Sequence, residues 1–133
     1  VADKYVGTWT GCDGNAAAGT SSFETYSFTK TAVDKLSVVT VSKNFPNASC
    51  TIPASTTLDA STTLTIAGTQ VVAVAGGAVT ADKAIAVSSN LAGVEVKQIF
   101  YVNGSTMRVG NFAPKDADGY PTTFAPLVLT KQP

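Results

Sequence analysis

The 133-residue chain carries two cysteines, Cys12 and Cys50, and no histidine. That absence excludes Ser-His-Asp and Cys-His nucleophilic catalysis and every His-ligated zinc or copper site. Met107, the single methionine, and the two cysteines are too few soft donors to hold a metal. Ser27 and Lys30 match the S-x-x-K spacing of serine acyl-transfer enzymes, but that chemistry needs a helical turn to bring both side chains to one face. Their segment alternates like a strand, which sends residues three apart to opposite faces. Asp116 and Asp118 are the candidates for a metal. A calcium loop built on them needs a ligand where Pro114 stands and a glutamate where Ala125 stands, so an Asx-Gly turn is the simpler reading. Glu24 and Glu95 have the chemistry of an acid and a base, yet nothing places them together, and both read as solvated surface carboxylates. Asn47 and Asn103 open glycosylation sequons, which matter only in a eukaryotic secretory pathway. With no convergent motif, the expectation is no enzyme and no cofactor.

The cysteines have a structural use instead. They form an even pair in a chain of low charge that is rich in Ser, Thr, Ala, Val and Gly, a composition suited to an exported bacterial domain. A Cys12–Cys50 disulfide is expected, with two buried free thiols as the alternative. Such a bridge adds about 3–4 kcal/mol on the loop-entropy account. The chain opens at Val1 with no basic n-region and no apolar h-region, as after removal of a signal peptide. The expected location is periplasmic, outer-membrane-associated or extracellular. The formal net charge is zero, the lysines are scattered and Arg108 is the only arginine, so there is no electrostatic footprint for nucleic acid. No apolar run is long enough for a transmembrane helix.

The elements that must position any site follow a period of two. Ser21 to Lys30 puts Glu24, Tyr26 and Phe28 on one face, with Phe23, Thr25 and Ser27 on the other. With Lys35 to Lys43 it makes a hairpin. Pro46 and Pro53 mark the following stretch, containing Cys50, as an edge or an interrupted strand. Ser61 to Val79 reads as two strands broken near Gly68, with a turn at Gly76-Gly77, and Lys83 to Ser89 as another strand. Asn103-Gly104 predicts a tight hairpin in which Val102 faces Ser105 and Phe100 faces Met107. A long loop around Pro114 to Pro121 leads to a closing strand, Ala125 to Lys131. The sum is an all-β antiparallel chain of about eight to ten short strands, an up-and-down barrel rather than a two-sheet sandwich. No linker splits residues 1–133, so one domain is expected.

Gly7-Thr8-Trp9, on the first strand, resembles the G-x-W signature of the lipocalins and the wider calycin group, and the chain length fits the smaller calycins. The chain as a whole resembles small exported bacterial lipocalin-like domains. The resemblance implies a closed barrel around a small apolar ligand, with an arginine from late in the chain packed over the tryptophan. Arg108 lies in the last third. In the hairpin above, however, Phe100, Val102, Met107 and Val109 share the inward face. Alternation then turns Arg108 outward beside Ile99 and Tyr101 unless a bulge re-aims it.

Inward side chains so selected are Trp9, Tyr26, Phe28, Phe100, Met107 and Val109. The small residues interleaved on other strands leave space behind them. A mainly apolar pocket follows, with Tyr5, Trp9, Tyr26, Phe28, Phe100 and Met107 as ligand-contact residues and the Tyr5 and Tyr26 hydroxyls as polar handles. The function expected is a non-enzymatic exported protein holding a small apolar or amphipathic ligand. The alternative is a structural or adhesive surface module, pilin-like, with a packed core and no small-molecule ligand.

Overall fold

A computed structural model describes residues 2–15, 17–51, 56–88, 94–111 and 113–133. A 3-10 turn, Ala2–Tyr5, precedes eight strands: β1 (Gly7–Asn15), β2 (Thr20–Ala32), β3 (Lys35–Phe45), β4 (Thr56–Val74), β5 (Gly77–Ser88), β6 (Glu95–Asn103), β7 (Thr106–Gly110) and β8 (Phe124–Lys131). Each pairs antiparallel with the next, and β8 returns to β1 through Trp9↔Lys131 and Thr10↔Thr130. The result is a closed up-and-down barrel, so no strand among these keeps a free edge. Among the described residues no helix is long and apolar enough to cross a membrane.

The period of two decides what fills it. Trp9, Phe28, Leu36, Val38, Leu64, Ala84, Phe100, Met107 and Leu129 are buried in one cluster, with Tyr26, Val102 and Val109 packed against it. Gly11 lies between Trp9 and Asp13 on β1, where a Cβ would stand 2.7 Å from the Val128 carbonyl oxygen. Its missing side chain lets β8 close onto β1.

Three expectations change in detail. The β6–β7 hairpin pairs Val102 with Met107 and Phe100 with Val109. Its turn is Gly104-Ser105, with Gly104 at φ +60° and no positive φ at Ser105, the pattern of a type II′ turn. The slip from the expected register is two residues, which preserves the faces. The break near Gly68 is a bulge rather than a strand end: pairing jumps from Ile66↔Ala84 to Thr69↔Asp82, with Gly68 at φ +123°. β4 and β5 therefore run as one long ribbon, and the strand expected from Lys83 is the second half of β5; Ser89 lies outside the described residues. Cys50 sits in the β3–β4 connection and not on a strand.

The disulfide forms between Cys12 on β1 and Cys50, with Cα atoms 6.2 Å apart. Ser21 adds to the tie, since its Oγ donates to the Asn47 carbonyl (2.6 Å) and accepts from the Cys50 N–H (3.0 Å). Residues 113–123 fold back over the outside of the barrel. There Tyr120 joins Val72, Ala81 and Ile99 in a second buried cluster, and Gln70 Nε2 donates to the Pro121 carbonyl at 2.7 Å.

Candidate functional site

The strand directions give the barrel two different ends. At the base, where β1 begins and β8 ends, the 3-10 turn lies across the opening and lowers Tyr5 into the core, leaving it 2% exposed. Trp9 Nε1 donates to the Tyr5 carbonyl at 2.9 Å. The Tyr5 hydroxyl donates to the Asp82 carboxylate, which also pairs with Lys4 Nζ at 2.7 Å. Burial and then the Asp82 bond and charge hold the Tyr5 phenol far above its ordinary range. Lys30 Nζ reaches Asp3 at 2.8 Å and ties the turn to β2. This base is a closed floor. It contains Trp9, Met107 and Tyr5, and the Tyr5 hydroxyl expected as a polar handle is engaged by Asp82.

Above the floor is a cavity of about 190 Å³. Tyr26, Phe28 and Phe100 form its aromatic wall, with Val38, Leu64, Val109, Thr40, Thr62 and Ala86 also lining it. The Tyr26 and Phe28 rings stack at 6.3 Å, and Phe100 meets Phe28 edge-on at 6.4 Å. The space exists because inner positions of β3, β4 and β5 hold Thr40, Thr62 and Ala86, too short to fill the barrel there.

Past Tyr26 the inner face turns polar. Glu24 Oε1 accepts hydrogen bonds from Ser22 Oγ at 2.9 Å and Ser42 Oγ at 2.8 Å. Asp13 lies opposite Ser22 in the β1–β2 register, on the same inner face. Burial, followed by the charges of Glu24 and Asp13, pushes the Tyr26 phenol above its ordinary value, so it stays protonated at neutral pH. Its hydroxyl has no hydrogen-bond partner among the described residues. A wide open depression of about 720 Å³ lies at this end, lined by Asp13, Asn15, Ser22, Asn44, Phe45 and Pro46. The disulfide holds the β3–β4 side of this rim.

The sequence reads Glu24 as a solvated surface carboxylate; the fold instead turns it inward, half-buried against Ser22 and Ser42. The signal was present: Glu24 alternates with Tyr26 and Phe28, so a face that buries the rings also turns the carboxylate inward. Glu95, by contrast, is exposed near the start of β6. Arg108 points outward, as alternation requires. It lies 5.2 Å from the Phe124 ring centroid and donates to the Ala125 carbonyl at 3.1 Å, so the Trp–Arg contact implied by the resemblance is absent. Lys131 takes that place over Trp9. Asp116 closes an Asx turn, its Oδ1 accepting from the Asp118 N–H (3.0 Å) and the Tyr120 N–H (2.9 Å). No group of three metal-ligating side chains occurs among the described residues.

The arrangement has room for a small molecule with an apolar part down and a polar part up. The chain matches no protein-family model, no curated protein and no solved structure.

Proposed function

We propose that this protein is a non-enzymatic, exported bacterial binding protein that holds a small apolar or amphipathic ligand inside a lipocalin-like barrel. The observation that carries this reading is the 190 Å³ cavity walled by Tyr26, Phe28 and Phe100 beneath a polar mouth. It is smaller than the roughly 300–1,000 Å³ of drug-sized sites, which suits one ring or a short alkyl chain. The disulfide supports an oxidising compartment. The closed sheet speaks against the pilin-like alternative, because strand exchange needs an open edge.

Native mass spectrometry of protein purified from its own host is the direct test, with a co-purifying small molecule expected. Ala86→Leu places a larger side chain in the cavity wall and is expected to remove that adduct while leaving the β-sheet circular dichroism intact. The reading fails if the adduct persists in Ala86→Leu. It fails equally if the unaltered protein carries no adduct and none of a panel of ring and short-chain compounds binds it.

A further inference from the structure

We propose that the ligand is an organic cation: an aromatic or short-chain amine whose apolar part enters the cavity and whose ammonium meets Glu24. The proposal rests on the binding-protein reading and names the chemical class it takes. Four independent features of the barrel support it.

The first is the distribution of charge along the inner face. The mouth half carries two carboxylates, Asp13 and Glu24, and alternation gives that half no cationic partner for them. Lys4, Lys30, Lys35 and Lys131 gather at the base end, where Asp3 and Asp82 answer two of them. The remaining lysines and Arg108 lie on the outer face or its loops, as Lys83, Lys97 and Arg108 do against outer aromatic rings.

The second is the state of Glu24. It is half-buried, and its only partners among the described residues are the Ser22 and Ser42 hydroxyls, both on Oε1. Neutral donors hold a carboxylate in place without supplying a counter-charge. Oε2 carries no hydrogen bond and remains able to take an N–H. The Ser pair fixes the carboxylate in orientation, which lowers the ordering cost when a ligand arrives.

The third is the wall directly below. Tyr26 is one inward step from Glu24 and offers a ring face and an unpartnered hydroxyl, and Phe28 stacks beneath it. Aromatic faces attract cations and accept rings equally well. The fourth is the cavity itself, mainly apolar, with Thr40, Thr62 and Gln98 as its polar lining, and of a size for one ring. An anion would meet Asp13 and Glu24 unscreened, and a wholly apolar ligand would leave Glu24 desolvated without a partner.

The test compares three probes that share a phenyl ring and differ in the charge at the far end: 2-phenylethylamine, 2-phenylethanol and 3-phenylpropionate, each titrated calorimetrically. The amine is expected to bind about ten-fold more tightly than the alcohol, as one charge-assisted hydrogen bond provides, and the carboxylate more weakly than either. Glu24→Gln is expected to bring the amine-to-alcohol ratio to near one, and Glu95→Gln, the same charge change on the exposed end of β6, to leave the ratio as it was. Rising salt should weaken the amine alone. Equal binding of amine and alcohol, or a ratio unmoved by Glu24→Gln, overturns the cation assignment and leaves the binding protein standing. Failure of all three probes to bind also overturns the cation assignment, while the binding protein stands or falls on the adduct and the wider panel.

Discussion

Lys131 stands directly opposite Trp9 across the β1–β8 seam, with its ammonium 5.7 Å from the centroid of the indole. Gly7 makes this placement available, since a Cβ there would meet the Lys131 side chain at 2.9 Å. Removing the ammonium removes a cation–π contact at the point where the barrel closes. Lys131→Ala is expected to lower stability by about 0.5–1 kcal/mol, and Lys131→Arg to retain most of it. Urea unfolding followed by Trp9 emission measures both, and an unchanged midpoint in Lys131→Ala would show that the contact contributes nothing.

Replacing Cys12 and Cys50 together by alanine frees the β3–β4 connection from β1. The expected loss is about 3–4 kcal/mol, the amount loop closure over this span predicts. Comparing unfolding midpoints of the double variant with those of the unaltered, oxidised protein tests it. Because the bridge lies at the mouth, ligand affinity should fall as well, through a less ordered rim.

Stability should fall in strong alkali. Tyr5 and Tyr26 both have folded-state phenols raised above the ordinary value of 10.0, chiefly by burial. The folded state therefore holds its protons more tightly than the unfolded state. The stabilisation is complete below about pH 10 and is lost progressively above it. Tyr5→Phe should be less stable at neutral pH by about 1–3 kcal/mol, since Asp82 loses a buried partner. It should also show a shallower decline at high pH. Unfolding curves on both sides of about pH 10 give the two slopes, and parallel slopes would contradict the assignment.

Gln70 is the clasp of the outer loop. Gln70→Ala removes the bond to the Pro121 carbonyl and should cost about 0.5–1.5 kcal/mol. Amide exchange should rise selectively at Asn111, Asp116 and Gly119, whose N–H groups bond within that loop, while the barrel strands keep their protection. Uniform exchange across the chain would mean that loop and barrel open together.

What could be read from the residues alone was governed by parity. Side chains alternate strictly along a strand, so Tyr26 with Phe28, and Phe100 with Val102, Met107 and Val109, fall on one face even though the hairpin register differs by two residues from the one its sequence favours. Arg108 turns outward on the same rule. Glu24 obeyed it too, but a carboxylate inside a barrel runs against its hydration, and its identity outweighed its position. The bulge at Gly68 was visible only as a glycine, which marks a break and a bulge alike. The outer cluster around Tyr120 had no periodic trace, because one partner comes from a loop and the others are single residues from three consecutive strands, β4, β5 and β6. Nor could any local pattern show that Thr40, Thr62 and Ala86 line one cavity, since that depends on the stagger of neighbouring strands.

The seam between β1 and β8 differs from every other junction in the barrel. All other pairings join consecutive strands, and β1 with β2, for example, matches every residue from Gly7 to Asn15. The seam has only Trp9↔Lys131 and Thr10↔Thr130, extended by the Gln132 N–H on the Thr8 carbonyl. It is also the one pairing that must bring together residues more than a hundred positions apart, at the highest loop-closure cost. The other junctions can assemble as a ladder of local hairpins, each next to the last. On loop-entropy grounds closure is expected last: the sheet would form as an open ribbon and roll shut when Lys131 reaches Trp9.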